Sequence, residues 1–348
     1  MGQWQTNIDR GVEERILTSA SHQEPDRVPV WGFINNPTVF NHFRRPGDEN
    51  PQVTMGRLYN ELGIDLCRGY CTPQTPEERN EAQTNWPRKD VQSPADLEEE
   101  LNTPANDSWA ELKPQLLGHY RWMRDNLSPH TMFVPSGGTG LTDLYTSAGF
   151  QPFCEWCKDY PGLIRSVLEK RATENAKWAQ TVAQERLCPL FFLGEDIGGK
   201  NSLLFSPEWL RQNFFPNLAL NIKPLATANI KVIFHSDGYI MEILDDLVEM
   251  GIAGLNPIEP IAGMDIKYLK KRYGERLILV GNVDSSHTLV RKKPHDVRRA
   301  VKDCIRAASP AGGHFIASSS EITPTTPLKN IFAFYEACHT LGQYPIDL

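Results

Sequence analysis

The chain has 348 residues, a length at which a barrel enzyme still folds as one domain, and we treat residues 1–348 as one domain. Hydrophobic residues make up 40% of the chain, and its net charge of −7 comes with no lysine- or arginine-rich stripe, so no nucleic acid partner is expected. No apolar run approaches the roughly 20 residues of a membrane-spanning helix, so we expect a cytoplasmic protein with no membrane partner.

Short apolar runs alternate with helical patterns along the chain, which is typical of a parallel α/β sheet. Eight runs are predicted as strands: Val28–Phe33, Ile64–Gly69, Thr131–Pro135, Cys188–Gly194, Ile230–His235, Ala253–Asn256, Leu277–Asn282 and His314–Ala317. Several are apolar throughout, as strands buried on both faces are. Eight strands in this rhythm predict a closed (β/α)₈ TIM barrel with an N-terminal helical extension. An open doubly wound sheet is the alternative that the rhythm leaves open.

Helix boundaries are marked by local signals. Ser206 is a predicted N-cap, followed by Pro207 at the first helical position. The segment Met241–Met250 has apolar residues at helical spacing and is followed by Gly251, a typical C-terminal residue. The segments Asp265–Tyr273 and Pro294–Ala308 follow the same pattern.

The interval between the second and third predicted strands is unusually long, at about sixty residues. It contains Pro73, Pro76 and Trp86–Pro87, and then a helix start signal at Ser93–Asp96. Because a structureless loop of this length is uncommon in a compact domain, we predict a small insertion with its own helices lying over the barrel mouth.

Polar residues follow most of the predicted strands, at the end of a barrel where active sites form. The set comprises Asn35, Asn36, Ser136, Glu195, Asp196, His235, Asp237, Asn256, Glu259, Asn282, Asp284, Ser318, Ser319, Ser320 and Glu321. Each has an ordinary explanation when taken alone: His235 as a structural histidine, or Asp237 as a helix cap. Their coincidence at one face instead predicts an active site around His235 and Asp237, since a buried acid beside a histidine can shift its pKa or share a metal.

Two further motifs have weaker interpretations. The segment Gly137–Gly140 lacks the lysine of a Walker motif and the spacing of a dinucleotide fingerprint, so we interpret it as a tight turn or a close backbone approach to a ligand. Cys154 and Cys157 have CxxC spacing. With no second pair or nearby histidine in the sequence, we interpret the seven scattered cysteines as reduced thiols.

Several segments together resemble the uroporphyrinogen decarboxylase-like superfamily over roughly residues 11–345. They are Glu14–Leu17, Glu24–Pro29, Gly194–Gly198, Leu204–Pro207, Val232–Gly238, Leu247–Ile252, Leu255–Pro260, Gly312–Ile316 and Thr326–Ile331. The resemblance implies a (β/α)₈ barrel, which agrees with the strand count. It also implies one of two chemistries: decarboxylation of uroporphyrinogen, or methyl transfer to or from a corrinoid carried by a partner protein.

Departures from the family patterns narrow this expectation. True decarboxylases resemble one another in an arginine-bearing segment after the first strand, whose arginines pair with substrate carboxylates, but residues 32–39 contain no arginine. Thiol-methylating members carry a His-x-Cys zinc motif and a distant cysteine. His235 matches the histidine, whereas Asp237 and Ser320 stand at the cysteine positions, so a thiol acceptor is disfavoured. His235, Asp237 and Glu321 remain candidate ligands for zinc or another metal.

The resemblance therefore favours a methyltransferase that moves a methyl group from a small methylated substrate, preferably a methoxylated aromatic, to the Co(I) corrinoid of a partner. Because the chain lacks the Asp-x-His-x-x-Gly run of carrier modules, we expect the cobalamin on another polypeptide. We hypothesise that His235 or Asp237, with Glu195 or Asp196, donates a proton to the leaving oxygen or holds a metal. The expected substrate-binding residues are Trp31, Phe33, Asn35, Tyr239, Asn256, Asn282 and Ser318.

Two alternatives accompany this hypothesis. A corrinoid-independent decarboxylase or lyase would act on a small carboxylate with Asp237 as the acid. Arginines at the mouth would favour it, and only Arg68 lies near a strand end. A barrel kept as a binding or assembly protein would instead have a mouth filled by apolar side chains. A homodimer is also considered, since barrels commonly form dimers.

Overall fold

The computed structural model describes residues 4–69, 91–103 and 108–347. Its named strands are β1 Leu66–Cys67, β2 Met132–Phe133, β3 Ser136–Gly137, β4 Leu190–Gly194, β5 Lys231–His235, β6 Gly254–Asn256, β7 Ile278–Val283 and β8 His314–Ser318. All pairings between them are parallel, in the orders β1-β2 and β3-β4-β5-β6-β7-β8.

Extended backbone outside the named strands joins these two sheets. Val134, between β2 and β3, donates its N–H to Cys67 O at 2.8 Å. Pro135 O then accepts from the N–H of Phe192 in β4 at 2.9 Å. Residues 132–137 therefore act as one strand between β1 and β4.

The first predicted strand closes the ring. Within residues 28–34, Val30 forms a parallel bridge to Ile316 of β8, and Trp31 forms a parallel bridge to Leu66 of β1. The ring of eight extended segments is thus complete, which confirms the predicted (β/α)₈ barrel over the doubly wound sheet.

The two-residue alternation of the strands separates the barrel interior from the surrounding helical layer. Interior side chains form one cluster: Trp31, Leu66, Met132, Val134, Leu190, Phe192, Ile233, Ile278, Val280, Phe315 and Ala317. Their neighbours along the strands, such as Phe191 and Phe234, pack in a second cluster against the outer helices. Ile16 and Ala20 belong to the interior cluster as well, because the predicted N-terminal helix closes the N-terminal end of the barrel.

The outer layer is helical. The helices are α1 Arg10–Ala20, α2 Pro37–Phe43, α3 Pro51–Glu61, α4 Pro94–Asn102, α5 Ser108–Leu127, α6 Leu141–Ala148, α7 Phe150–Asp159, α8 Pro161–Glu185, α9 Pro207–Asn213, α10 Phe215–Thr227, α11 Leu244–Glu249, α12 Ile266–Tyr273, α13 Thr288–Arg291, α14 Pro294–Ala308 and α15 Leu328–Leu341, with 3₁₀ turns at Met241–Ile243 and Pro260–Ala262. The predicted start of α9 is confirmed, since the Ser206 side chain accepts a hydrogen bond from the N–H of Trp209. Within the described ranges, no helix combines the length and apolar character needed to cross a bilayer.

The long interval before β2 contains two helices in its described part. Helix α4 begins with a capping box between Ser93 and Asp96, as its start signal predicts. It is joined to α8 by a salt bridge of 2.6 Å between Glu100 and Arg171. Residues 70–90, which include Pro73, Pro76 and Pro87, lie outside the described residues, so the cover over the barrel mouth stays a prediction.

The paired cysteines lie on α7. Cys154 is exposed, whereas burial raises the pKa of the Cys157 thiol to about 12. The described cysteines are all free, in agreement with their interpretation as reduced thiols.

Candidate active site

A pocket of about 190 Å³ lies at the C-terminal ends of the strands, opposite α1. It is lined by Trp31, Phe33, Arg68, Asp196, His235, Asp237, Asn256, Pro257, Ser318, Ser320 and Glu321. Strand alternation explains three of these positions: Phe33, Arg68 and His235 each follow an interior residue by two. The mouth is therefore lined by polar groups above an apolar barrel interior, which argues against the binding-protein alternative.

His235 is oriented by Asn256 on the neighbouring strand. The two side chains meet at 2.7 Å, between Nδ1 and Oδ1. Because the Asn256 amide nitrogen donates to Val280 O, its oxygen faces the ring and accepts a hydrogen bond from Nδ1–H. The other ring nitrogen, Nε2, then points its lone pair into the pocket. Burial, with a contribution from nearby Arg68, lowers the pKa of His235 and favours this neutral form.

Two carboxylates face that lone pair. His235 Nε2 lies 3.5 Å from Asp196 Oδ1 and 3.9 Å from Asp237 Oδ1. Each of the three residues offers one possible ligand atom, and these atoms all lie within 4.8 Å of one another. Burial, and then repulsion by Asp196, raises the pKa of Asp237 to about 6. We call Asp196, His235 and Asp237 the three-donor cluster.

The three-donor cluster fits a divalent cation. The Asp237 Oδ1 atom is buried and has no hydrogen-bond partner within the described residues, a costly arrangement unless something else binds it. One imidazole and two carboxylates are also a donor set that Zn²⁺ accepts. A cation here would offset the repulsion between the two acids.

The loops that carry the two acids are interlocked through their backbones. Ser236 Oγ accepts hydrogen bonds from the N–H groups of Ile197 at 3.0 Å and Gly198 at 3.1 Å. Gly198 and Gly238 are in such close backbone contact that a side chain on either would collide with the opposite loop. Asp237 N–H in turn donates to Asp196 Oδ1 at 3.1 Å. The separation of the acids is thus fixed by main-chain packing.

Glu195, predicted as a catalytic acid, does not line the pocket. Its carboxylate is 2% exposed and accepts hydrogen bonds from the N–H groups of Thr139, Gly140 and Thr142 and from Thr139 Oγ1. The backbone of the glycine-rich segment closely approaches this protein carboxylate, and the predicted approach to a ligand stays a prediction.

An aromatic layer lies beneath the cluster. The guanidinium carbon of Arg68 is 4.4 Å from the Phe33 ring centroid and 4.8 Å from that of Phe192. The Phe192 ring is also 5.0 Å from the His235 ring and 5.8 Å from Trp31. Phe192 is not among the site residues expected from the sequence. Its alternation with interior Leu190 is the signal that identifies it.

Comparison with known proteins identifies the family of this chain. The uroporphyrinogen decarboxylase (URO-D) family model matches residues 83–341. The chain belongs to the uroporphyrinogen decarboxylase family. It is 34% identical to a methylcobamide:CoM methyltransferase, MtaA, of Methanosarcina barkeri over 224 residues, 64% of this chain and 62% of that protein. It is 32% identical to a uroporphyrinogen decarboxylase of Coxiella burnetii over 73 residues, 21% of this chain and 20% of that one.

A solved structure supports the fold of this uroporphyrinogen decarboxylase family member. It is a methyltransferase from Methanosarcina mazei, with a TM-score of 0.69, 21% sequence identity, and coverage of 97% of this chain and 99% of the other. At this identity the likeness concerns the barrel alone. The aligned region spans less than two thirds of the Methanosarcina barkeri relative.

The barrel brings together some of the predicted substrate residues and not others. Trp31, Phe33, Asn256 and Ser318 line the pocket. Asn35, Tyr239 and Asn282 are not among its lining residues. Asn35 donates to Glu321 at 3.5 Å, Tyr239 donates its N–H to Gly199 O, and the N–H of Asn282 faces Cys304 Sγ.

The predicted metal ligands are partly brought together. His235 and Asp237 belong to the three-donor cluster, whereas Asp196 stands there in place of the predicted Glu321. Glu321 lines the same pocket, as does Ser320, the position at which thiol-methylating members carry a cysteine.

Proposed function

We propose that this protein is a corrinoid-dependent methyltransferase. It moves a methyl group from a small methylated substrate to the Co(I) corrinoid of a partner carrier protein, and a methoxylated aromatic is the favoured donor. The observation that carries the proposal is the convergence of Asp196, His235 and Asp237 in the mouth pocket. The similarity to a relative named as a methylcobamide:CoM methyltransferase supports it.

The donor set favours an oxygen substrate over a thiol. Asp196, His235 and Asp237 would hold the cation through nitrogen and oxygen, without the thiolates that suit activation of a thiol. A bound cation would supply Lewis-acid activation of an ether oxygen, which becomes a better leaving group. Asn256 keeps the His235 ring in the tautomer whose Nε2 can bind.

The pocket sets limits on the substrate. Its volume of about 190 Å³ lies below the roughly 300 Å³ at which sites for drug-sized ligands begin, so it admits a one-ring molecule rather than a tetrapyrrole. Trp31 and Phe33 offer aromatic surface for such a ring, and Ser318 lines the same pocket. These side chains would hold the ring of the substrate in the pocket. The corrinoid of the partner would supply the nucleophile that accepts the methyl group.

An anaerobic assay tests this proposal. Purified protein is incubated with free cob(I)alamin and a panel of methoxylated aromatics and methylamines, and methylcobalamin is followed by absorbance. Formation from a methoxylated aromatic supports the proposal. Transfer from methylamines alone would replace the ether with an amine donor, and transfer from no donor would reject methyl transfer.

One observation favours a second candidate, a corrinoid-independent decarboxylase or lyase acting on a small carboxylate. Arg68 lines the pocket and carries a permanent positive charge, which suits a carboxylate. In this case Asp237, whose pKa is raised to about 6, would act as the acid. Release of CO₂ from a one-ring carboxylic acid without any corrinoid would establish this candidate, and Arg68→Met would abolish that release.

A further inference from the structure

Helix α6 begins without a side-chain cap of its own. Its N-cap residue is Gly140, which has a φ of +94° and no side chain to accept a hydrogen bond. The free N–H groups at this end are instead bound by Glu195, which follows β4: one carboxylate oxygen accepts from Gly140 N–H at 2.8 Å and the other from Thr142 N–H at 2.7 Å. A carboxylate is favourable here because the N-terminal end of a helix carries partial positive charge.

Two side chains of α6 form hydrogen bonds with the backbone of Asp196, the residue after Glu195. Thr142 Oγ1 accepts the N–H of Asp196 at 2.8 Å, and the Tyr145 hydroxyl donates to Asp196 O at 2.7 Å. Both peptide groups that flank the Asp196 Cα are therefore held by α6. The Asp196 side chain is 42% exposed, and its direction depends on this backbone together with the hydrogen bond that its Oδ1 accepts from Asp237 N–H.

We propose that Glu195 is a positioning residue for the cation site. It fixes the start of α6 on the end of β4, and α6 then fixes Asp196 at the distance from His235 that the three-donor cluster requires. This inference rests on the cation site of the proposed function, and it concerns only the residues that hold Asp196 in place.

The direction of the two neighbouring acids agrees with this division of roles. Asp196 lies an even number of residues after interior Phe192, so it points to the same side of the strand and faces the pocket. Glu195 is offset by one residue, so it points to the other side and faces the loop before α6. A glutamine at 195 has the same size, but its amide group would bring N–H donors toward backbone N–H groups that need acceptors. Glu195→Gln therefore disrupts the hydrogen bonds that hold the start of α6, with little change in side-chain volume.

Four variants separate positioning from general stability. Glu195→Gln removes the carboxylate, and Thr142→Val removes the acceptor for Asp196 N–H without touching Glu195. Thr142→Ser keeps that acceptor and is its conservative control. Glu208→Gln is the matched control for charge, because Glu208 is an acid in the first turn of another helix, α9. Zn²⁺ affinity is measured by chelator competition, and amide exchange of the Asp196 N–H is measured on metal-free protein.

We expect Glu195→Gln and Thr142→Val to weaken Zn²⁺ binding by roughly 10–100-fold, as loss of a group that orients a metal ligand does, and to speed exchange of the Asp196 amide. Thr142→Ser and Glu208→Gln should match the wild type in Zn²⁺ affinity and in the exchange rate of the Asp196 amide. If Glu195→Gln lowers the melting temperature but leaves both readouts unchanged, the inference is overturned.

Two further outcomes remain decisive. If the wild type binds no Zn²⁺, the cation site of the proposed function fails. Faster exchange of the Asp196 amide in Glu195→Gln then supports only the positioning of Asp196 by Glu195, and unchanged exchange overturns that as well. If Glu195→Gln does not fold, Thr142→Val is compared with Thr142→Ser. Faster exchange of the Asp196 amide in Thr142→Val supports the inference, and equal exchange overturns it.

Discussion

Asn256 Oδ1 lies 2.7 Å from His235 Nδ1, and this one contact determines which nitrogen of the histidine faces the two acids. Metal-binding histidines are generally fixed in this manner, through a hydrogen bond on the ring nitrogen that does not bind the metal. The tautomer at the mouth of this barrel is thus set by the neighbouring strand β6.

Replacement of Asn256 should weaken cation binding. Asn256→Ala removes the acceptor for Nδ1–H, and we expect a loss of roughly 10–100-fold in Zn²⁺ affinity, measured by isothermal titration calorimetry. Asn256→Asp keeps an oxygen at the same place and should retain wild-type affinity. Equal losses in both variants would show that the contact does not set the tautomer.

The identity of the second carboxylate ligand can be tested directly. Because Asp196, not Glu321, lies within 4.8 Å of the other two donors, Asp196→Asn should reduce Zn²⁺ affinity far more than Glu321→Gln. Both substitutions preserve size and remove one charge from the same pocket, so each controls for the other. A greater loss in Glu321→Gln would restore the ligand set predicted from the sequence.

A buried ion network stabilises the closure of the barrel. Asp65 is 2% exposed and accepts from Arg15 at 2.7 Å, from Arg27 at 2.6 Å and from Val30 N–H at 2.8 Å. We expect Asp65→Asn to lower the free energy of unfolding by about 3–5 kcal/mol, measured by urea denaturation, because it removes the buried carboxylate that pairs with two guanidinium groups, each only 14% exposed.

The exposed partner of the same network is its control. The Asp26 side chain is 58% exposed and pairs with Arg15, so Asp26→Asn should cost less than about 1 kcal/mol. Similar losses in the Asp26 and Asp65 variants would mean that burial of the network is not what stabilises it.

His314 should make stability depend on pH. It is buried, with Cys304 and Ser309 beside it and Lys270 nearby, and burial lowers its pKa from 6.5 to about 4. Above pH 6.5 the ring is neutral in both states. As the pH falls from 6.5 to 4, the unfolded chain binds a proton that the folded chain does not, so stability falls, by an amount on the order of 3 kcal/mol.

Urea denaturation at pH 7 and pH 5 measures this effect, and His314→Gln provides the comparison. The variant should be less stable at pH 7 but lose less stability between the two pH values than the wild type. An identical loss in both proteins would assign the acid sensitivity to other groups.

Much of the fold could be predicted because its signals are local. The start of α9 at Pro207 and the capping box at Ser93 follow from side chains within one helical turn. The alternation of Leu190 and Phe192 separates interior from exterior in the same local manner.

The site was less predictable, because its assembly depends on contacts between distant strands. The sequence places both Glu195 and Asp196 after β4, but only the position of the loop before α6 shows that the first is bound by backbone N–H groups. The presence of Asp196 rather than Glu321 in the cluster likewise depends on the packing of Gly198 against the loop after β5.

The role proposed for the three-donor cluster is to hold a cation that activates a methyl ether, so that its methyl group passes to a corrinoid. Its most direct test is the rate of methylcobalamin formation from a methoxylated aromatic and cob(I)alamin as Zn²⁺ is added to metal-depleted protein. The rate should rise to a plateau at one equivalent of Zn²⁺ in the wild type and stay near background in His235→Ala. A rate that is independent of Zn²⁺, or that His235→Ala retains, would contradict the claim.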